Sequence, residues 1–348
     1  MYLEHFRLQR HPFRMAPEDD FIYMSQQHSR AFVYMDSAVW SPEGFVVISG
    51  EIGSGKTTLL KKLMRGLNQD LKLFHIAYTN LKSDDLFHLI VRQAGLPYDD
   101  KNKVSMLLAI NDYLQKLSND GIPVVLAVDE AQNLSRENLE DIRMLSGLEG
   151  KGGPVMRVIL LGQPELKDAI YNIPQLAQRV KLFFHLNGLS AKETGEYIDH
   201  RLFIAGYEGD TLFNADTVQQ VYALSKGIPR LINKLCDGLM LCAYSDDRNH
   251  INAADLVEIR QDLMGETFMA HMEAEAGDEQ GKAATATGSG PTDAEQTMPQ
   301  PPSDPADNSA LGRIASALER IDAKLDRLVS QQDAPPSNVK PLNPKRRS

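Results

Sequence analysis

The pattern of apolar and polar residues divides this 348-residue chain into regions of different period. Up to about residue 190, short unbroken apolar runs alternate with amphipathic stretches. The runs 45–49, 72–78, 123–128, 156–162 and 181–186 are strand-sized and rich in Val, Ile, Leu and Phe, and predict strands buried on both faces. Strands alternating with amphipathic segments are the grammar of a parallel α/β sheet. Residues 191–264 lose such runs and predict helices alone. One starts near Ser190, with Glu193 three residues on in a capping-box pattern; others follow over 214–225, 229–244 and 252–263, with Pro229 suited to a first helical turn.

Beyond this the pattern fails and then returns. From about 271 to 308 the chain is Ala, Gly, Pro, Thr and acidic residues, with Lys282 its only Lys or Arg. Such a stretch buries too little apolar surface to fold, which predicts a disordered linker over 265–308. Leu311, Ile314, Leu318, Ile321, Leu325 and Leu328 then recur at spacings of 3, 4, 3, 4 and 3. That heptad seam predicts a helix over 309–331 that associates with itself or with a partner. Residues 332–348, with Lys340, Lys345, Arg346 and Arg347, form a basic, disordered tail.

The chemistry enters between the first strand and the helix after it. Gly50-Glu51-Ile52-Gly53-Ser54-Gly55-Lys56-Thr57 is a complete G-x-x-x-x-G-K-[ST] phosphate-binding loop. Its glycines let backbone N–H groups converge on phosphate oxygens, Lys56 supplies positive charge near the β/γ-phosphates, and Thr57 offers a hydroxyl to Mg²⁺. The strand 45–49 precedes it and a helix opens at Thr58 and runs to Leu67, so the phosphates meet a helix N-terminus. A second candidate group closes the run Pro123–Val128. Asp129 at that strand's end would complete the Mg²⁺ shell beside Thr57, and Glu130 would act as general base on the attacking water.

With these residues in place the chain resembles an AAA+ ATPase, in particular the ExeA/GspA-type group that includes the MshM-like and exosortase-associated ATPases of bacterial envelope systems. The resemblance runs over residues 1–264. It rests on Phe6-x-Leu8, His11-Pro12-Phe13, Phe21-Ile22-Tyr23, His28, Glu43-Gly44-Phe45, Asp129-Glu130-Ala131-Gln132-Asn133-Leu134, Arg143-Met144-Leu145-Ser146, Leu161-Gly162-Gln163-Pro164-Glu165-Leu166 and Gly227-Ile228-Pro229-Arg230-Leu231-Ile232-Asn233. It implies a P-loop NTPase with a doubly wound parallel α/β sheet over 1–190 and a small α-helical lid over 191–264, with ATP and Mg²⁺ as ligands. It also implies Gln163 as a polar sensor of the γ-phosphate, Arg230 as a lid sensor reaching the phosphates, and Arg179 as an arginine finger acting on a neighbouring subunit's ATP. Arg143 and Arg157 stay open as rivals for that last role. An arginine finger makes the active unit a homo-oligomer. Tyr23 and His28 resemble the segment that covers adenine; aromatic packing and helix capping are equally open to them.

Composition narrows the setting. A net charge of −10 argues against non-specific coating of nucleic acid, which depends on neutralising phosphates. Cys236 and Cys242, six apart, make neither a C-x-x-C pair nor a shared helical face. The first residues carry Glu4, His5, Arg7 and Arg10 instead of a signal-peptide core, and no apolar run approaches about 18 residues, so no transmembrane segment is expected. These features predict a cytoplasmic protein. The resemblance implies service to an envelope system (secretion, pilus or exopolysaccharide export), with recruitment to the inner membrane by a partner bound through the C-terminal helix. The alternative is a DNA-transaction ATPase resembling transposition regulators, against which stand the acidic balance and the lack of a recognisable helix-turn-helix or zinc finger.

Overall fold

The structure, a computed structural model, describes residues 2–16, 19–41, 43–67, 70–77, 85–97, 102–150, 152–256 and 259. The expected linker, heptad helix and basic tail lie outside the described residues, as does half of the helix expected over 252–263. Five strands form one parallel sheet: β1 (Phe45–Gly50), β2 (Lys72–Ile76), β3 (Val124–Val128), β6 (Met156–Gly162) and β7 (Leu182–Leu186), in the order β2-β3-β6-β1-β7. Two short strands, β4 (Glu149–Gly150) and β5 (Gly153–Pro154), make a separate antiparallel ribbon between β3 and β6.

The unbroken apolar runs follow from burial on both faces. In β1, Phe45 and Val47 enter the core shared with helices Asp85–Ala94, Lys103–Asn119 and Arg136–Ser146. Val46 and Ile48 enter the opposite core, with helices Gln26–Trp40 and Lys56–Gly66. β3 and β6 divide in the same way, Leu126 and Leu160 to one side, Ala127 and Leu161 to the other. The sheet is therefore doubly wound, as expected.

Element ends differ from expectation where polar groups decide them. The helix after the phosphate loop begins at Lys56, two residues earlier than its apolar pattern suggested, because left-handed Gly55 (φ 102°) is its N-cap. β2 stops at Ile76 instead of running to 78.

A third core holds the helices Ala191–Ile204, Ala215–Ser225 and Pro229–Ser245. Ser190 caps the first of them in the expected capping box with Glu193. Residues 2–16 and 19–23, expected with the α/β part, pack here: Tyr2, Phe6, Leu8, Phe13 and Phe21 are all buried in this core, with Tyr23 packed against it. Polar contacts fasten the same strap. Tyr2 donates to Asp237 at 2.8 Å, Gln9 N–H to the Ala205 carbonyl at 2.8 Å, and Tyr23 to Glu196 at 2.6 Å.

Candidate functional site

In a parallel sheet all strands end on one edge, and ligands bind beyond the carboxyl ends where the strand order reverses direction. β1 is such a point, with β6 on one side and β7 on the other. The loop after β1, Asp129 and Glu130 after β3, and Gln163 after β6 are thereby brought to the same edge. A cavity of about 400 Å³ lies there. Ile52, Gly53, Gly55, Lys56, Thr57 and Thr58 line it from the loop and helix, Glu130 and Gln163 from the sheet, and Arg230 from helix Pro229–Ser245. Gly50, Glu51, Ser54, Asp129 and Arg179 are not among the lining residues.

The loop's geometry explains its glycines. Gly53 and Gly55 have φ of 85° and 102°, a region that L side chains enter at a cost. A Cβ on Gly53 would lie 2.4 Å from Cβ of Arg230, and Arg230 N–H donates to the Gly53 carbonyl at 3.3 Å. The phosphate loop and the helical part thus meet at backbone distance. Gly53→Ala is expected to destabilise the fold by roughly 2 kcal/mol, from left-handed strain plus overpacking. A lowered midpoint of urea unfolding checks this; an unchanged midpoint would show that helix Pro229–Ser245 retreats without cost.

Lys56 is buried, with its ammonium donating to the carbonyls of Gly50 at 2.6 Å and Glu51 at 2.9 Å. Burial pulls its pKa below the ordinary lysine value, while the carboxylates of Glu130, Asp129, Glu51 and Glu165 work the other way. Asp129 is buried at the end of β3 and accepts the N–H of Glu130 at 3.0 Å. Glu130 itself sits at φ 51°, left-handed for a residue with a side chain. Such backbone persists only where the surroundings hold it, and it clusters at functional sites. Thr57 carries a hydroxyl and Asp129 a carboxylate, hard oxygens of the kind that could hold Mg²⁺.

Two further residues hold the site and were not singled out for it by sequence. His28, open between adenine cover and structure, is buried. Its Nδ1 pairs with Ser25 Oγ at 2.7 Å, its Nε2–H donates to the Ser54 carbonyl at 2.9 Å, and the ring both supports the loop and lines the cavity. Burial lowers its pKa, consistent with a neutral ring serving one acceptor and one donor. Gln132 donates to Glu130 Oε2 at 2.8 Å and accepts from Gln163 N–H at 3.0 Å. A contact between residues far apart in the chain leaves no local signal for His28, and Gln132, within Asp129–Leu134, has a residue type that by itself assigns it no role.

The three candidate arginines also separate. Arg143 pairs with Glu140 at 2.7 Å on its own helix, and Arg157 is half-buried with Nε donating to the Ser41 carbonyl at 3.2 Å. Arg179 is exposed and donates to the Ser146 carbonyl at 3.2 Å, at the C-terminal end of helix Arg136–Ser146.

Residues 39–170 match the AAA domain family. Over 259 residues the chain is 34% identical to general secretion pathway protein A of Aeromonas hydrophila, covering 74% of this chain and 47% of that protein. The chain is an AAA+ protein of the ExeA/GspA type. It spans about half the length of this curated relative. The fold of this AAA+ chain is similar to that of Cdc6p from Pyrobaculum aerophilum, with a TM-score of 0.55, 14% identity and 71% of each chain covered. It is likewise similar to ORC2 from Aeropyrum pernix, with a TM-score of 0.51, 17% identity, and 72% of this chain and 71% of that one covered. At such identities the likeness concerns fold alone. Among the described residues no helix is long and apolar enough to cross a membrane.

Proposed function

We propose that the chain binds Mg-ATP and hydrolyses it to ADP and phosphate. The observation that supports this most is the convergence of the Gly50–Thr57 loop, Glu130 and Gln163 on one cavity at the sheet's carboxyl edge. In this reading Lys56 and the loop's N–H groups hold the phosphates, Thr57 and Asp129 hold Mg²⁺, and Arg230 reaches the phosphates from the lid over 191–264. The metal, when bound, neutralises phosphate charge during transfer. Glu130 accepts the proton of the attacking water, and Gln163 orients about the γ-phosphate.

We further propose that the active unit is a homo-oligomer in which Arg179 completes the neighbour's site. An exposed arginine outside its own cavity, held at a helix's carbonyl end that favours cations, fits a donor in trans. Mixing Arg179→Ala with Glu130→Gln chains is expected to recover activity that neither variant has alone. Mixed oligomers formed without any recovery would count against a shared site.

The process served is a bacterial envelope system, secretion foremost, by the 34% identity to general secretion pathway protein A. ATP supply places the chain on the cytoplasmic side, and the heptad seam over 309–331, reached through the linker, is the proposed attachment to a membrane-bound partner. Capture of an envelope protein by the full chain, and its loss on deleting 309–331, is the expected result. Capture that survives the deletion would remove the seam from this role.

A further inference from the structure

The ends of β3 and β6 are tied by a side-chain amide. Gln132 Nε2 donates to Glu130 Oε2 at 2.8 Å, and Gln132 Oε1 accepts from Gln163 N–H at 3.0 Å. The orientation is forced by chemistry: a carboxylate offers no proton to an amide oxygen, and a backbone N–H requires an acceptor. Space is made for this amide. A Cβ on Gly162 would lie 2.9 Å from Gln132 Oε1 and 2.7 Å from Leu166 Cδ2, so the residue before Gln163 is one without a side chain. On the other side stands the left-handed backbone of Glu130, φ 51°, whose N–H is taken by Asp129 Oδ1. Backbone and amide together confine a carboxylate that would otherwise sample several rotamers.

We propose that Gln132 is a positioning residue for hydrolysis: it fixes the Glu130 carboxylate relative to the end of β6, so that Glu130 and Gln163 face one phosphate in constant register. This rests on the reading of Glu130 as the base and deepens it. Gln132 holds no substrate in this role; it acts through Glu130, on the chemical step and not on nucleotide affinity. Its contribution is preorganisation, since a base displaced by an ångström loses much of its effect.

The test uses the full chain, with kcat and KM from steady-state phosphate release and Kd from a fluorescent ATP analogue. Gln132→Ala is expected to leave Kd within about twofold and to lower kcat at least about tenfold. Gln132→Glu keeps the volume and the acceptor for Gln163 N–H but sets a carboxylate against Glu130; an equal or larger fall in kcat is expected, which a purely space-filling role would not give. In a Glu130→Gln background, Gln132→Ala is expected to lower the residual rate no further, because its effect runs through Glu130. Near-wild-type kcat in both Gln132 variants while Glu130→Gln is inactive would overturn the proposal, as would losses that multiply in the double variant. Wild-type turnover in Glu130→Gln alone would instead remove the base, and the role of Gln132 with it.

Discussion

Glu130→Gln is expected to bind ATP as tightly as the wild-type chain, or more tightly, and to hydrolyse it about 10²- to 10⁴-fold more slowly, the span of a lost general base. The substitution changes few atoms. The amide oxygen of the new side chain still accepts from Gln132 Nε2, so the bond at 2.8 Å and the register with β6 are retained. On the proposed mechanism the variant loses the acceptor for the water's proton, which lowers kcat, and one negative charge beside the phosphates, which favours binding. Single-turnover phosphate release with bound nucleotide measured in parallel separates the two effects. Wild-type kcat would dismiss Glu130 as the base.

Lys56→Ala is expected to weaken ATP binding by at least about 30-fold, the loss of a charge-assisted contact of roughly 2 kcal/mol. The environment makes the loss larger than that of a surface lysine. The ammonium is buried and already oriented by the Gly50 and Glu51 carbonyls at 2.6 and 2.9 Å. The carboxylates of Glu130 and Asp129 act on it from close by, so removing it leaves those negative charges opposing the incoming phosphates. Titration with a fluorescent ATP analogue reads the effect, and affinity within threefold of wild type would remove Lys56 from phosphate binding.

The Gly50–Thr57 loop was legible in the sequence because its positions impose residue types that few other contexts demand. Left-handed φ at Gly53 and Gly55 excludes ordinary side chains, and a lysine and a hydroxyl residue directly after them complete a pattern that chance seldom assembles. The sheet was legible for a similar reason: β1, β3 and β6 are buried on both faces, so their sequences are unbroken apolar runs. Less could be read where the determinant is a contact across the chain. The strap of residues 2–16 and 19–23 reads locally as an aromatic-rich approach to the first strand. Its partners, Asp237, Ala205 and Glu196, lie some 170 to 240 residues away in sequence, and they place it on the helical core. His28 stands 26 residues from the Ser54 carbonyl it supports, and a lone histidine is compatible with many roles. Asp129 and Glu130 mark an intermediate case, where type and spacing suggested the roles and only the fold brought Glu130 to the cavity.

In the proposed mechanism the cavity at the sheet's carboxyl edge turns over ATP through Glu130. Steady-state release of phosphate from Mg-ATP, compared between the wild-type chain and Glu130→Gln at equal nucleotide occupancy, addresses it directly. Phosphate release by the wild-type chain that falls at least about 100-fold in the variant is the expected result. Equal release by both, with nucleotide bound to each, would contradict it.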